Sequence, residues 1–207
     1  MNEVKNDDVL VFNTEQPQTP TAQQVETFQL VDPSNPLMFT QLQEFDFTNP
    51  PVNPNEFAST LVETCKKYNG LGLSANQCGF PHRVFVMGNG DDFIACFNPK
   101  LILAEDEAHM PEGCLSFPLL ELRITRPKTI TVEYQDWNGE KHEAKFTGLT
   151  ARVFLHELDH MNGIVYTTRA KPLALKSGMK KVEKIYKKHF GKNIMKKIQN
   201  GNQKTNP

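Results

Sequence analysis

The 207-residue chain carries 23 basic and 24 acidic side chains, so its formal net charge is −1, and 38% of its residues are hydrophobic. This balance argues against a protein that coats DNA or RNA, and no apolar run approaches the roughly 20 residues of a transmembrane helix. The four cysteines are irregularly spaced and form no CxxC pair, which indicates reduced thiols rather than a disulfide framework.

The first 27 residues are rich in Gln, Thr, Asn and Pro and show no sustained periodicity, which predicts a flexible arm over residues 1–27. The opening stretch MNEVKNDDVLVFN has acidic residues, no apolar core followed by a cleavage site, and no excess of arginine. It therefore matches neither a secretory signal nor a transit peptide, and we expect a cytoplasmic protein without a membrane partner.

A helix is indicated next, because Asn53 can cap it and Pro54 takes its first position. The helix is predicted to end at Gly70. This glycine is compatible with two roles: it can cap the helix, or it can leave an open backbone edge that faces a substrate. From Arg83 onward the pattern changes to short strands, and an Asn138-Gly139 pair separates two alternating runs as in a β-hairpin. The middle of the chain is therefore predicted to form antiparallel sheet.

The stretch ARVFLHELDHMNG contains an HExxH pattern in a helix predicted to be capped by Thr150 and stopped by Asn162-Gly163. Residues four apart lie on one face of a helix, so His156 and His160 can bind one metal ion together. Glu157 lies beside them, where a carboxylate can accept a proton from a water molecule. An amphipathic helix with two ordinary histidines is the alternative, and the motif alone does not decide between them.

A catalytic metal usually takes three protein ligands, so the position of a third ligand tests the metal hypothesis. The extended motif HExxHxxGxxH fails, because Tyr166 occupies its last position. The stretch EGCLSFP offers Cys114 directly after a glycine, ahead of the hairpin strands.

Three stretches in this order, GLGLSANQ, EGCLS and HELDH, resemble the peptide deformylase family. The likeness runs from about residue 28 to about residue 173 and leaves the first segment uncovered. It implies that one divalent metal ion is held by Cys114, His156 and His160. It also implies that Glu157 is the general base, and that Gln77 and the backbone N–H of Leu115 stabilise the oxyanion.

By the same resemblance, the substrate is the N-terminal formylmethionine of newly made proteins, from which formate is removed. The residues that match the family's substrate-binding positions are Gly70, Leu71, Gly72, Met110, Glu112, Leu149 and Val153. Ser74 stands where many members have alanine, and we expect this difference to be harmless. Arg126 and Asp159 are predicted either to pair and orient the metal helix or to be two solvated charges.

The cysteine and histidine ligands alone favour zinc, whereas the resemblance implies Fe²⁺ in cells, with Zn²⁺ or Ni²⁺ as replacements. Beyond the metal helix, apolar residues recur at helical spacing with lysines opposite: Met179, Val182, Ile185, Tyr186 and Phe190 against Lys180, Lys181, Lys184, Lys187 and Lys188. Ile194, Met195 and Ile198 continue the pattern. The lysines form either a solvated face or a docking surface for ribosomal RNA.

The predicted fold is α+β, with antiparallel β-sheets packed around the central HExxH helix and an amphipathic helix at the C-terminus. Three parts are expected: the arm over 1–27, a catalytic domain over 28–173, and a basic helix and tail over 174–207. Two alternatives to a deformylase remain. Another HExxH metallo-amidase or metallopeptidase would not require Cys114 or Gln77, and a peptide-binding relative without activity would not require the complete set of ligands, base and oxyanion donors.

Overall fold

The structure, a computed structural model, describes residues 26–190. The predicted arm up to residue 25, and Ile194, Met195 and Ile198, lie outside the described residues. The described helices are α1 Pro54–Lys67, α2 Gly148–Met161 and α3 Pro172–Phe190. The strands are β1 Gly72–Ser74, β2 Val84–Asn89, β3 Asp92–Glu105, β4 Ala108–Cys114, β5 Phe117–Arg126, β6 Thr129–Gln135 and β7 Lys141–Thr147.

Both sheets are antiparallel, as predicted. Five strands pair in the order β1-β2-β3-β6-β7, and β4 and β5 form a separate two-stranded sheet. The hairpin at Asn138-Gly139 is confirmed, since β6 and β7 pair from Gln135 with Lys141 to Thr129 with Thr147. Short strands are predicted from Arg83 onward, but β3 is 14 residues long, and its pairing with β6 continues through two register shifts. The α+β fold class is confirmed.

Helix α2 lies against the five-stranded sheet, and its residues from Ala151 to Met161 are all buried. The prediction that Thr150 caps this helix is wrong. The pairing of β7 with β6 ends at Thr147, and the helix starts with the next residue, so Thr147 holds the cap position and Thr150 lies in the first turn. The predicted end is confirmed, because Asn162 is the C-terminal cap.

Helix α3 packs on strand β5. Leu175 and Val182 contact the buried cluster that contains Leu120 and Leu122, whereas Met179 of the predicted apolar stripe is 53% exposed. The helix begins two residues before the predicted boundary at 174, and the three-part division of the chain stays a prediction. Among residues 26–190, no helix has the length and apolar character needed to cross a bilayer.

Candidate metal centre and substrate cleft

A cleft of about 720 Å³ opens between the two sheets and the N-terminal half of α2. Its walls come from the chain before β1, the turn between β4 and β5, helix α2 and helix α3. Gln77, Cys114, His156 and Glu157 all line it. The three motifs that lie far apart in the sequence therefore meet at one cavity.

The side chains of Cys114, His156 and His160 each offer a ligand atom, and these atoms lie within 4.8 Å of one another. Cys114 is the last residue of β4, and its Sγ lies 3.4 Å from Nε2 of His160. Burial lowers the pKa of His160 well below its ordinary value, which favours the neutral imidazole that binds metals. One thiol and two imidazoles, brought together in a mostly buried corner, fit a divalent metal ion with room for a further ligand.

Glu112 supports the first histidine, because its Oε1 lies 2.7 Å from Nδ1 of His156 and leaves Nε2 of that ring for an ion. The same carboxylate accepts hydrogen bonds from Arg126 at 2.6 and 2.8 Å and from Arg152 at 2.9 Å. Burial alone would raise the pKa of Glu112, but Arg126 and His156 outweigh it and hold the pKa well below its ordinary value. Glu112 lines the cleft, and both oxygens of its carboxylate are hydrogen-bonded within this network. Its predicted role in binding the substrate stays a prediction.

The predicted pairing of Arg126 with Asp159 is confirmed, with Nη1 of Arg126 donating to Oδ2 of Asp159 at 2.7 Å. Arg169 also binds Asp159 through two hydrogen bonds. Helix α2 is therefore tied to β5 on one side and to the short helical turn Tyr166–Arg169 on the other. These ion pairs fix how α2 presents its histidines.

Glu157 is 3% exposed and lies directly against strand β1. A Cβ atom on Gly72 would come within 2.5 Å of Oε1 of Glu157, so this carboxylate fits only because residue 72 has no side chain. The hydroxyl of Ser74 donates to Oε2 of Glu157. Burial raises the pKa of Glu157, although His156 and Ser74 act in the opposite direction. A carboxyl group with a raised pKa suits a group that accepts and returns a proton.

The side chain of Gln77 is held at both ends. Its Oε1 accepts a hydrogen bond from the backbone N–H of Ser74 at 2.9 Å, and its Nε2 donates to Oγ of Ser116 at 3.0 Å and lies 3.4 Å from Sγ of Cys114. Leu115 lines the same cleft. The two predicted oxyanion donors are thus brought beside the candidate metal ligands, and their role stays a prediction.

Gly70 does not cap α1 in the left-handed conformation, because Asn69 takes that conformation with φ +54°. A Cβ on Gly70 would lie 2.7 Å from the Leu115 side chain, so the absence of a side chain brings these two segments together. Of the predicted substrate-binding residues, the structure brings six to the cleft: Gly70, Leu71, Gly72, Glu112, Leu149 and Val153. Met110 is not among the residues that line it.

Several residues of this region are not predicted from the sequence. Arg152 lies one helical turn before His156 on α2, and this spacing was the signal that could have identified it. No comparable sequence signal identifies Arg169, which binds Asp159, or Lys181 and Ile185 of α3, which line the cleft. Their positions near the site depend on how segments far apart in the sequence pack together. Ser74 was expected to be harmless, yet it contacts Glu157.

Comparison with known proteins gives one consistent result. A peptide deformylase of Thermotoga neapolitana is 43% identical over 113 residues, which span 54% of this chain and 69% of that protein. A peptide deformylase of Wolbachia pipientis is 37% identical over 150 residues, which span 65% of this chain and 83% of that protein.

The crystal structure of peptide deformylase from Thermotoga maritima is similar with a TM-score of 0.67 at 33% identity, covering 71% of this chain and 99% of that one. A peptide deformylase from Legionella pneumophila shares the fold with a TM-score of 0.72 at 24% identity, covering 81% of this chain and 99% of that one. The family described as Polypeptide deformylase matches residues 28–176, well over half of the chain. The chain therefore belongs to the polypeptide deformylase family.

Proposed function

We propose that the cleft removes the N-formyl group of a formylmethionyl peptide with one divalent metal ion held by Cys114, His156 and His160. Members of this family are metal-dependent hydrolases that release formate from the N-terminal formylmethionine of new proteins. The observation that carries the residue assignment is that the three donor atoms lie within 4.8 Å of one another, next to the buried carboxylate of Glu157. A peptidase with HExxH alone would not need the cysteine in this set.

We propose Fe²⁺ as the ion in cells, with Zn²⁺ or Ni²⁺ able to replace it. Imidazole suits all three ions, and the thiolate adds affinity for the softer ones. Bound in the cleft, such an ion lowers the pKa of a water molecule and polarises the formyl carbonyl. The thiolate of Cys114 is the oxidisable member of the set, so we expect activity with iron to decline in air.

The remaining steps belong to side chains of the chain itself. Glu157 takes a proton from the attacking water as the new C–O bond forms, and it returns that proton to the peptide nitrogen as the C–N bond breaks. The amide of Gln77 and the backbone N–H of Leu115 donate to the oxygen that becomes negatively charged in between. Formate and a free N-terminal amine leave the cleft.

Apolar side chains and an open strand edge support the assignment of the substrate. Leu71, Leu149 and Val153 line the cleft and provide an apolar wall for the methionine side chain. Strand β1 is at the edge of its sheet, so an extended peptide can add to it through main-chain hydrogen bonds. This mode reads the backbone of a nascent chain and tolerates many sequences after the first residue.

The test is formate release from a formyl-Met peptide by protein purified without oxygen and loaded with Fe²⁺. Glu157→Ala is the control, and it should retain metal while losing activity by at least a hundredfold, since general bases contribute about that much or more. No formate release from the metal-loaded chain would refute the proposal. Internal cleavage of an unformylated peptide would favour the metallopeptidase instead.

We also propose that the lysine face of α3 docks on ribosomal RNA. Lys180, Lys184 and Lys188 are exposed on this helix, and clustered lysines bind phosphates with release of counterions. Co-sedimentation with ribosomes should weaken steeply with salt and should be lost when these three lysines are changed to glutamate. Sedimentation that the three substitutions leave unchanged would contradict it.

A further inference from the structure

Strand β1 presents two residues to Glu157. Gly72 and Ser74 are two positions apart, so they lie on the same face of the strand. Gly72 leaves the space into which Oε1 of Glu157 fits, and the Ser74 hydroxyl donates to Oε2. One carboxylate oxygen is therefore held, and the other faces the glycine.

Ser74 also contacts the second polar group of the cleft. Its backbone N–H donates to Oε1 of Gln77 at 2.9 Å, which directs Nε2 of that side chain toward Cys114 and Ser116. Ser74 itself is fully buried, so bulk water does not compete for its hydroxyl. A single residue thus bonds both Glu157 and Gln77.

We propose that Ser74 is a positioning residue that fixes the Glu157 carboxylate relative to Gln77, through its hydroxyl on one side and its backbone on the other. This inference rests on the roles proposed above for Glu157 and Gln77. The last torsion of a glutamate side chain has a broad energy profile, so the carboxylate can rotate unless a hydrogen bond holds it. The Ser74 hydroxyl removes this freedom and leaves Oε1 free to exchange a proton with the reacting water.

The Ser74 hydroxyl is neither a candidate metal ligand nor one of the groups proposed to react, so we expect it to adjust the reaction rather than enable it. Ser74→Ala keeps the backbone bond to Gln77 and removes only the hydroxyl. We expect kcat to fall about tenfold while KM changes by less than twofold, because Ser74 does not line the cleft and its loss should affect only the transition-state geometry. Metal content, measured on the same samples, should equal that of the unmodified chain.

Thr64→Val is the matched control, since Thr64 is a fully buried hydroxyl that bonds to Phe28 and Thr60 and lies outside the cleft. It should lower stability and leave kcat unchanged. A second readout uses unfolding of the metal-free protein by urea. Ser74→Ala should lower the midpoint more in the unmodified chain than in a Glu157→Ala chain, where the buried hydroxyl has already lost its bond to Glu157.

The outcomes separate this inference from the proposed function. If the unmodified, metal-loaded chain releases no formate, the proposed function fails. If that chain is active and Ser74→Ala retains its kcat, or lowers the urea midpoint equally in both backgrounds, the positioning role of Ser74 is overturned. A fall in kcat together with a midpoint shift that depends on Glu157 supports it.

Discussion

Glu112→Gln tests whether the buried ion network holds the metal helix in place. The side chain of Glu112 bonds to Arg126, Arg152 and His156, and all four groups are at most 8% exposed. Glutamine has nearly the same shape but no charge, and its NH₂ group would face the N–H groups of an arginine. Arg126 keeps Asp159 as a partner, whereas Arg152 would lose its one carboxylate partner among the described residues.

Breaking a buried ion pair by removing one partner costs about 3–5 kcal/mol of unfolding free energy. For a domain of this size, such a loss corresponds to a decrease of about 2 M in the midpoint of urea unfolding. The histidine also loses the acceptor that orients its ring, and we expect zinc affinity to fall by about 10–100-fold, as for other partners of metal ligands. Chelator competition on the folded variant measures this second effect.

Glu121→Gln is the matched control, since Glu121 is exposed on the neighbouring strand β5 and makes no ion pair with a described residue. Its unfolding free energy should change by less than about 0.5 kcal/mol. If Glu112→Gln costs no more than Glu121→Gln, the network does not stabilise the fold. If stability falls but zinc affinity does not, Glu112 does not orient His156.

Two further predictions concern buried thiols and close backbone contacts. In the native metal-free protein at pH 8, a thiol reagent should label Cys114 but not Cys78, because burial raises the pKa of Cys78 to about 12 and almost none of that thiol is ionised. Added zinc should protect Cys114 from the reagent. Mass spectrometry of the labelled protein measures both effects. Gly163→Ala should cost about 2–5 kcal/mol, because its φ is +69° and its Cβ would lie 2.7 Å from the Phe39 backbone. Gly90→Ala, with φ +60° and open space around it, should cost only about 1–2 kcal/mol, and equal losses in calorimetry would contradict the close contact at Gly163.

The sequence predicted those parts of the fold and site that depend on local pattern. The spacing of His156 and His160 and the turn at Asn138-Gly139 follow from helix and hairpin geometry within a few residues of chain. The start of α2 was misplaced at Thr150, because the end of the β6–β7 pairing, and not a side-chain cap, sets where the helix begins. Local propensity does not report where a neighbouring strand stops.

The network around the site depends on long-range packing, and the sequence analysis anticipated only its Arg126–Asp159 pair. Arg169 binds Asp159 from a turn beyond α2, and Arg152 binds Glu112 across 40 residues of chain. Sequence periodicity does not predict such pairs, because their contact depends on how the strands and helices that carry them pack against each other. The family resemblance implies a substrate-binding role for Glu112, and only its contacts in the folded structure show that both carboxylate oxygens are hydrogen-bonded within the protein.

Ser74 is a single residue whose contacts likewise depend on long-range packing. As a residue type, serine in place of alanine changes little volume, and that reasoning led to the expectation that it is harmless. What matters is that strand alternation directs Ser74 and Gly72 to the same side, and that α2 brings Glu157 against that side from 83 residues away. A substitution that is conservative in size therefore adds a hydrogen bond to the one carboxylate that we expect to move a proton.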